Sequence, residues 1–160
     1  MRREERQIKE KETLLQLIQE CPVCRVAFAG SYPYIVPVNF GWKDTPEGLI
    51  LYFHGAMDGR KYHIVREAQQ RGELVGCGFE MDQKTSLVTG EQPCSYSYLY
   101  ESIIGTGTVC LVEEQEEKQQ ALNLIMYHMT GKEFFFTEEM TRNTAVFRLA
   151  VKEYSGKRHV

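Results

Sequence analysis

The stretch Tyr52-Phe53-His54-Gly55-Ala56-Met57-Asp58-Gly59-Arg60-Lys61 joins an apolar run to a glycine-bounded turn that carries two adjacent cations. A glycine has no Cβ, so backbone N–H groups near it can approach a small anion, and the Arg-Lys pair supplies opposite charge. A bound phosphate is the simplest chemistry for Gly55, Gly59, Arg60 and Lys61; the alternative is a solvated turn whose cations face water. His54 lies between the run and the turn. Its imidazole either hydrogen-bonds to backbone or meets a ligand. Pro37-Val38-Asn39-Phe40 places an amide within an otherwise apolar segment. Such an amide offers both donor and acceptor, which suits the edge of a heterocycle or, alternatively, unpaired backbone in a bulge.

Other constellations are weaker. Cys21-Pro22-Val23-Cys24 has redox spacing but follows an apolar helical stretch, whereas a thioredoxin-like site needs its first cysteine at a helix N-terminus within a βαβ unit. A structural zinc needs a second such pair or a Cys/His pair; the remaining cysteines, at 77, 94 and 110, are isolated. His63, His128 and His159 have no partner at metal-ligand spacing, so no metal site is expected. No GxSxG, P-loop or GxGxxG motif occurs. Gly105-Thr106-Gly107 falls within a strand-like run and reads as a bulge or tight corner. Tyr96, Tyr98 and Tyr100 alternate, as a barrel wall would.

The elements that must hold these residues follow from periodicity. Arg6 to Glu20 spaces Ile8, Leu14, Leu15, Leu17 and Ile18 as an amphipathic helix, which Pro22 ends. Val23 to Ala29, Ile35 to Trp42 and Leu49 to Phe53 are β-rich runs between turn formers, Gly30-Ser31 among them, and read as an antiparallel meander. A short helix over Tyr62 to Arg71 stops at Gly72. Leu74 to Met81 and Ser102 to Val112 are further strands, joined by a long connection over Asp82 to Ser97. Glu113 to Met129 is strongly helical and closed by Gly131; Thr144 to Tyr154 is a final strand with a polar tail. The order predicts a mainly β fold, an antiparallel barrel flanked by helices, in a single domain over 1–160.

Composition narrows the function classes. Nineteen basic residues against 22 acidic give a net charge of −3. That leaves no broad positive field for nucleic acid and no polybasic block for an anionic membrane. No apolar run is long enough to cross a bilayer and none resembles a signal peptide, so a cytoplasmic protein with reduced thiols and a small-molecule ligand is expected.

Three ordered segments carry a family resemblance: Tyr32 to Phe40, Leu51 to Ala56 leading into Gly59-Arg60-Lys61, and Tyr98 to Gly105. Together they resemble the flavin-binding split β-barrel proteins related to pyridoxamine 5′-phosphate oxidase, and within that group the 5-nitroimidazole resistance proteins. The resemblance runs into Phe147-Arg148-Leu149 and Ser155-Gly156-Lys157. It implies an antiparallel split β-barrel and a homodimer with flavin mononucleotide (FMN) at the subunit interface, flavin adenine dinucleotide (FAD) being the alternative. It further implies Pro37, Val38, Asn39 and Phe40 along the isoalloxazine edge, with His54 and Gly55 near the ring or ribityl chain. Arg60 and Lys61 would hold the phosphate, Ser102 would approach from the facing strand, and His54 would touch substrate. The implied activity is an FMN-dependent, nitroreductase-like oxidoreduction of small electron-poor molecules. A non-catalytic flavin-binding or sensing module and a heme-binding barrel are the alternatives, because fold and cofactor do not establish turnover.

Overall fold

The computed structural model describes residues 3–30 and 32–160; Ser31 of the predicted turn lies outside them. In chain order the elements are β1 (Gln7–Ile8), α1 (Lys11–Glu20), β2 (Cys24–Phe28), β3 (Tyr34–Val38), β4 (Phe40–Thr45) and β5 (Gly48–Ala56). They continue with α2 (Arg60–Gln70), β6 (Val75–Val88), β7 (Ser97–Leu111), α3 (Gln115–Thr130), α4 (Glu138–Thr141) and β8 (Thr144–His159). All strand pairings are antiparallel. The hydrogen-bonded order is β3-β2-β6-β7-β8-β5-β4, with β1 added to β8. β3 and β4 are therefore the two ends of an unclosed path. The fold is the expected antiparallel split barrel with flanking helices.

β5 shows why the sequence alternates poorly where the site begins. Leu49 through Phe53 are all buried. Leu49, Leu51 and Phe53 join the barrel interior with Phe28, Phe79 and Phe147, whereas Ile50 and Tyr52 join Val146, Leu122 and Ile125 beneath α3. A strand covered on both faces reads as one continuous apolar run. The stacked rings of Phe53 and Phe147, 5.0 Å apart, fill the barrel at its His54 end.

Four expectations are corrected. The predicted first helix loses its opening turn: Ile8 is buried from a short strand opposite Gly156, and the helix starts at Lys11. Ile35 to Trp42 is two strands, because the chain turns at Asn39: β3 pairs with β2 and β4 with β5, so the meander is broken. Alternation reports which residues are buried but not which strand is the neighbour. The predicted connection over Asp82 to Ser97 is mostly ribbon. β6 runs on to Val88 with a bulge at Gln83–Ser86, and exposure of both faces leaves it polar in sequence. The polar tail is strand as well, since β8 continues to His159 against β7.

At the bulge Lys84 adopts a left-handed φ of 52° and bridges Glu20 and Glu101, both at 2.9 Å. That lysine, with Gln83 and Gln16, holds the Glu20 carboxyl down at about 2 and ties the end of α1 to the ribbon.

Candidate cofactor site

The end of β5 and the start of α2 bring His54, Gly55, Gly59, Arg60 and Lys61 together. Gly59 is the extended N-cap of α2, and it supplies no side chain to the open amides of the first turn. No acidic residue occupies that turn; instead its first two residues are Arg60 and Lys61. Cations at a helix N-terminus oppose the macrodipole, so three positive contributions meet in one place.

Neither cation has an ion-pair partner among the described residues. The Arg60 guanidinium lies 4.5 Å from the centre of the Tyr34 ring, across the split from β5 to the edge strand β3. The Lys61 ammonium sits 5.7 Å from the Phe147 ring centre and against Gly55. A Cβ at Gly55 would fall 2.5 Å from Lys61 Nζ, so the glycine makes the space that the lysine fills. Burial pushes the Lys61 pKa down. A partly desolvated ammonium and a guanidinium on adjacent residues, at the open amides of a helix start, have the chemistry to attract an anion.

His54 follows the buried run, lies opposite Val146 and keeps part of its ring in solvent. Burial first, and the Lys61 charge second, push its pKa below the ordinary 6.5, so the imidazole is uncharged at neutral pH. Phe40 is paired with Phe53, where the β4–β5 ladder ends, and Asn39 is the next residue beyond that pairing. From Asn39 the edge strand runs back to Tyr34, roughly 16 Å at 3.3 Å per residue. A groove along the split therefore follows the unpaired backbone edge of β3 from Asn39 to Tyr34, where Arg60 sits, while His54, Gly55 and Lys61 lie together on its β5 side.

Within that groove the remaining candidates differ in what they present. Pro37 is exposed, whereas Val38 and Phe40 turn their side chains into the core and can offer the groove backbone alone. The Asn39 amide donates to the Pro22 carbonyl at 3.2 Å, which is the backbone-satisfying role. The Phe40 carbonyl faces His128 Nδ1 at 2.7 Å. Ser102 is not brought to the site. Leu51 aligns through Leu149 with Val109, and Phe53 through Phe147 with Leu111, so Ser102 lies about ten residues, roughly 30 Å, along β7 from the level of His54. Within one chain it cannot reach the groove.

Tyr34 and Phe147, the rings beneath the two cations, lie within the resembling segments but carry no site role there. The alternation of Tyr34 with exposed Ile35 was the available signal. Cys21 and Cys24 are both buried, and burial raises each thiol to about 12, a setting for inert packing rather than nucleophilic chemistry.

The fold is thus an unclosed antiparallel barrel with two cations that have no ion-pair partner among the described residues, placed between an edge strand and a helix N-terminus. Residues 10–158 match the family described as pyridoxamine 5′-phosphate oxidase, and the chain belongs to that family. Among solved structures, it is similar to a Bacteroides thetaiotaomicron protein named for 5-nitroimidazole antibiotic resistance. The identity is 31%, the TM-score 0.76, and the match covers 95% of this chain and 86% of the other. An FAD- and heme-binding protein from Mycobacterium smegmatis shares the fold at 19% identity and a TM-score of 0.78, over 96% of this chain and 73% of that one. An FAD-binding protein from Mesorhizobium loti does so at 16% identity and a TM-score of 0.60, over 95% and 96%. No curated protein matches the sequence. No helix among the described residues is long and apolar enough to cross a membrane.

Proposed function

We propose that this chain binds a flavin, FMN in the first instance, in the groove between β3 and the β5–α2 junction, and uses it to reduce small electron-poor molecules. The observation that carries this reading is the pair of unpaired cations at the uncapped start of α2. A phosphate there meets the Arg60 guanidinium, the Lys61 ammonium and the open amides of the first turn, all of which favour negative charge. The edge strand from Tyr34 to Asn39, roughly 16 Å at 3.3 Å per residue, is long enough to wall a ribityl chain and ring. The free backbone edge of β3 offers donors and acceptors to the rim of a heterocycle.

A bound flavin supplies hydride and electron chemistry by itself, which accounts for a site with no catalytic dyad. The chain's own residues then bind, orient and tune. Arg60 and Lys61 fix the phosphate end, Tyr34 and Phe147 hold those cations in place, and the Phe53–Phe147 stack keeps water from the inner wall. His54 is the residue we assign to contact the substrate. Uncharged at neutral pH, it offers an N–H to an acceptor atom on which negative charge develops, without placing a further cation beside Lys61.

We also propose a homodimer, as the family resemblance implies. A role for Ser102 at the groove requires the β7 of a second copy. Sedimentation should report about twice the 18.6 kDa chain mass, and a monomer that still holds flavin overturns the shared site.

The cofactor test is a fluorescence titration with FMN of the wild type and of the Arg60→Ala/Lys61→Ala double variant. Each charge-assisted contact is worth roughly 1.5 to 3 kcal/mol, so affinity should fall at least about tenfold. Unchanged affinity refutes the phosphate assignment, and a Soret band in place of flavin absorbance replaces the cofactor with heme. Reoxidation of reduced, flavin-loaded protein by a nitroaromatic acceptor separates an enzyme from a silent flavin-binding module.

A further inference from the structure

A second pocket, of about 210 Å³, opens on the other side of the β-pairing that carries His54. Its floor includes Thr144, Ala145 and Val146, the residues of β8 paired with Ala56, Gly55 and His54. Its walls come from α2, through Tyr62 and Arg66, and from the start of α3, through Lys118, with Val112 between them. No side chain among these residues serves the proposed phosphate seat.

The charges in the pocket do not balance. Arg66 is paired with Glu113 at 3.0 Å, so those two cancel. Lys118 is half-buried and has no ion-pair partner among the described residues; burial alone pushes its pKa down, and no carboxylate acts to raise it. The lining therefore carries one uncompensated positive charge. A half-desolvated ammonium without a counterion is costly, and a bound anion relieves it. Beside it the Tyr62 and Thr144 hydroxyls can donate hydrogen bonds. The remaining surface, with Leu111, Val112 and Val146, is apolar and suits an organic body rather than an inorganic ion.

We infer that this pocket binds a small monocarboxylate, its carboxylate on Lys118 and the Tyr62 and Thr144 hydroxyls and its apolar body against Val112 and Val146. One net positive charge matches a monoanion and leaves a phosphate dianion half uncompensated. The floor is hydrogen-bonded to the strand that carries His54, so an occupant lies next to the proposed reaction site. The inference does not depend on that reading, because the charge imbalance exists whether or not a flavin is present.

The probe is benzoate, titrated into the full chain as purified and again with saturating FMN, and followed by calorimetry and by amide chemical shifts. The expected result is binding that perturbs Val112, Thr144 and Val146, with benzamide, which has the same shape but no charge, at least about tenfold weaker. Lys118→Gln should weaken benzoate by a similar factor while leaving FMN affinity unchanged and the melting temperature no lower, since it removes a half-desolvated charge. Lys132→Gln, an exposed lysine after α3, should change nothing. Equal affinity for benzoate and benzamide, full benzoate affinity in Lys118→Gln, or shifts confined to residues outside the pocket each overturn the assignment. Loss of FMN binding with benzoate binding intact refutes the flavin reading and leaves this one standing.

Discussion

Replacing Gly55 with alanine separates the proposed phosphate seat from the fold around it. The new Cβ would lie 2.5 Å from Lys61 Nζ and 2.6 Å from Lys61 Cε, whereas its next contact, Phe147 Cε2 at 3.8 Å, is ordinary. The crowded atoms are the free end of a flexible side chain, so the ammonium swings out towards solvent while the barrel stays in place. Alanine also restricts the unfolded chain, which favours folding by roughly 0.4 to 1 kcal/mol. Net stability should therefore change by less than about 1 kcal/mol. The phosphate loses one charge-assisted contact worth roughly 1.5 to 3 kcal/mol, and FMN affinity should fall about ten- to a hundredfold. Gly41→Ala is the contrast: there the Cβ meets the α3 backbone at Leu124 and Ile125, which cannot swing aside. That variant should lose roughly 1 to 3 kcal/mol or more of stability as overpacking forces the helix away. Thermal melts and FMN fluorescence titrations on both proteins decide the matter. Wild-type FMN affinity in Gly55→Ala would show that Lys61 does not hold the phosphate; a melting loss as large as that of Gly41→Ala would show that the glycine is needed by the barrel itself.

Two further outcomes are expected. The folded-state pKa of His54 lies below 6.5, so its contribution to stability is complete above that pH and is lost as pH falls towards the folded value. Melting temperature should fall on acidification below about 6.5, and His54→Gln should flatten that slope and slow reoxidation by acceptor without releasing flavin; an unchanged slope and rate would make His54 a packing residue. Of the five thiols, Cys94 is exposed and Cys21, Cys24 and Cys77 are buried with raised pKa values. A disulfide reagent should therefore label Cys94 first in native protein and all five only after unfolding, and rapid native labelling of Cys21 or Cys24 would reopen a redox role for that pair.

The sequence alone determined the parts of this protein governed by local chemistry. The Gly59-Arg60-Lys61 turn was legible as a cationic turn because glycine and two adjacent cations are read directly from residue type. Leu49 to Phe53 was legible as strand because a doubly covered strand must be apolar throughout. The third helix was legible because its acidic start and Gly131, at φ +68°, mark both ends. What the tertiary structure decided is which segments meet. The chain's turn at Asn39 sends β3 and β4 to opposite ends of the sheet, and that opens the split; no local propensity distinguishes it from a continuous strand. Tyr34 comes under Arg60, and Lys118 lines one pocket with Thr144, through pairings distant in sequence, and the lack of a counterion for either cation among the described residues is a property of three-dimensional surroundings. The ribbon over Asp82 to Ser97 stayed hidden for a related reason: strands solvated on both faces bury no apolar stripe, so their hydrogen bonding leaves little trace in residue type.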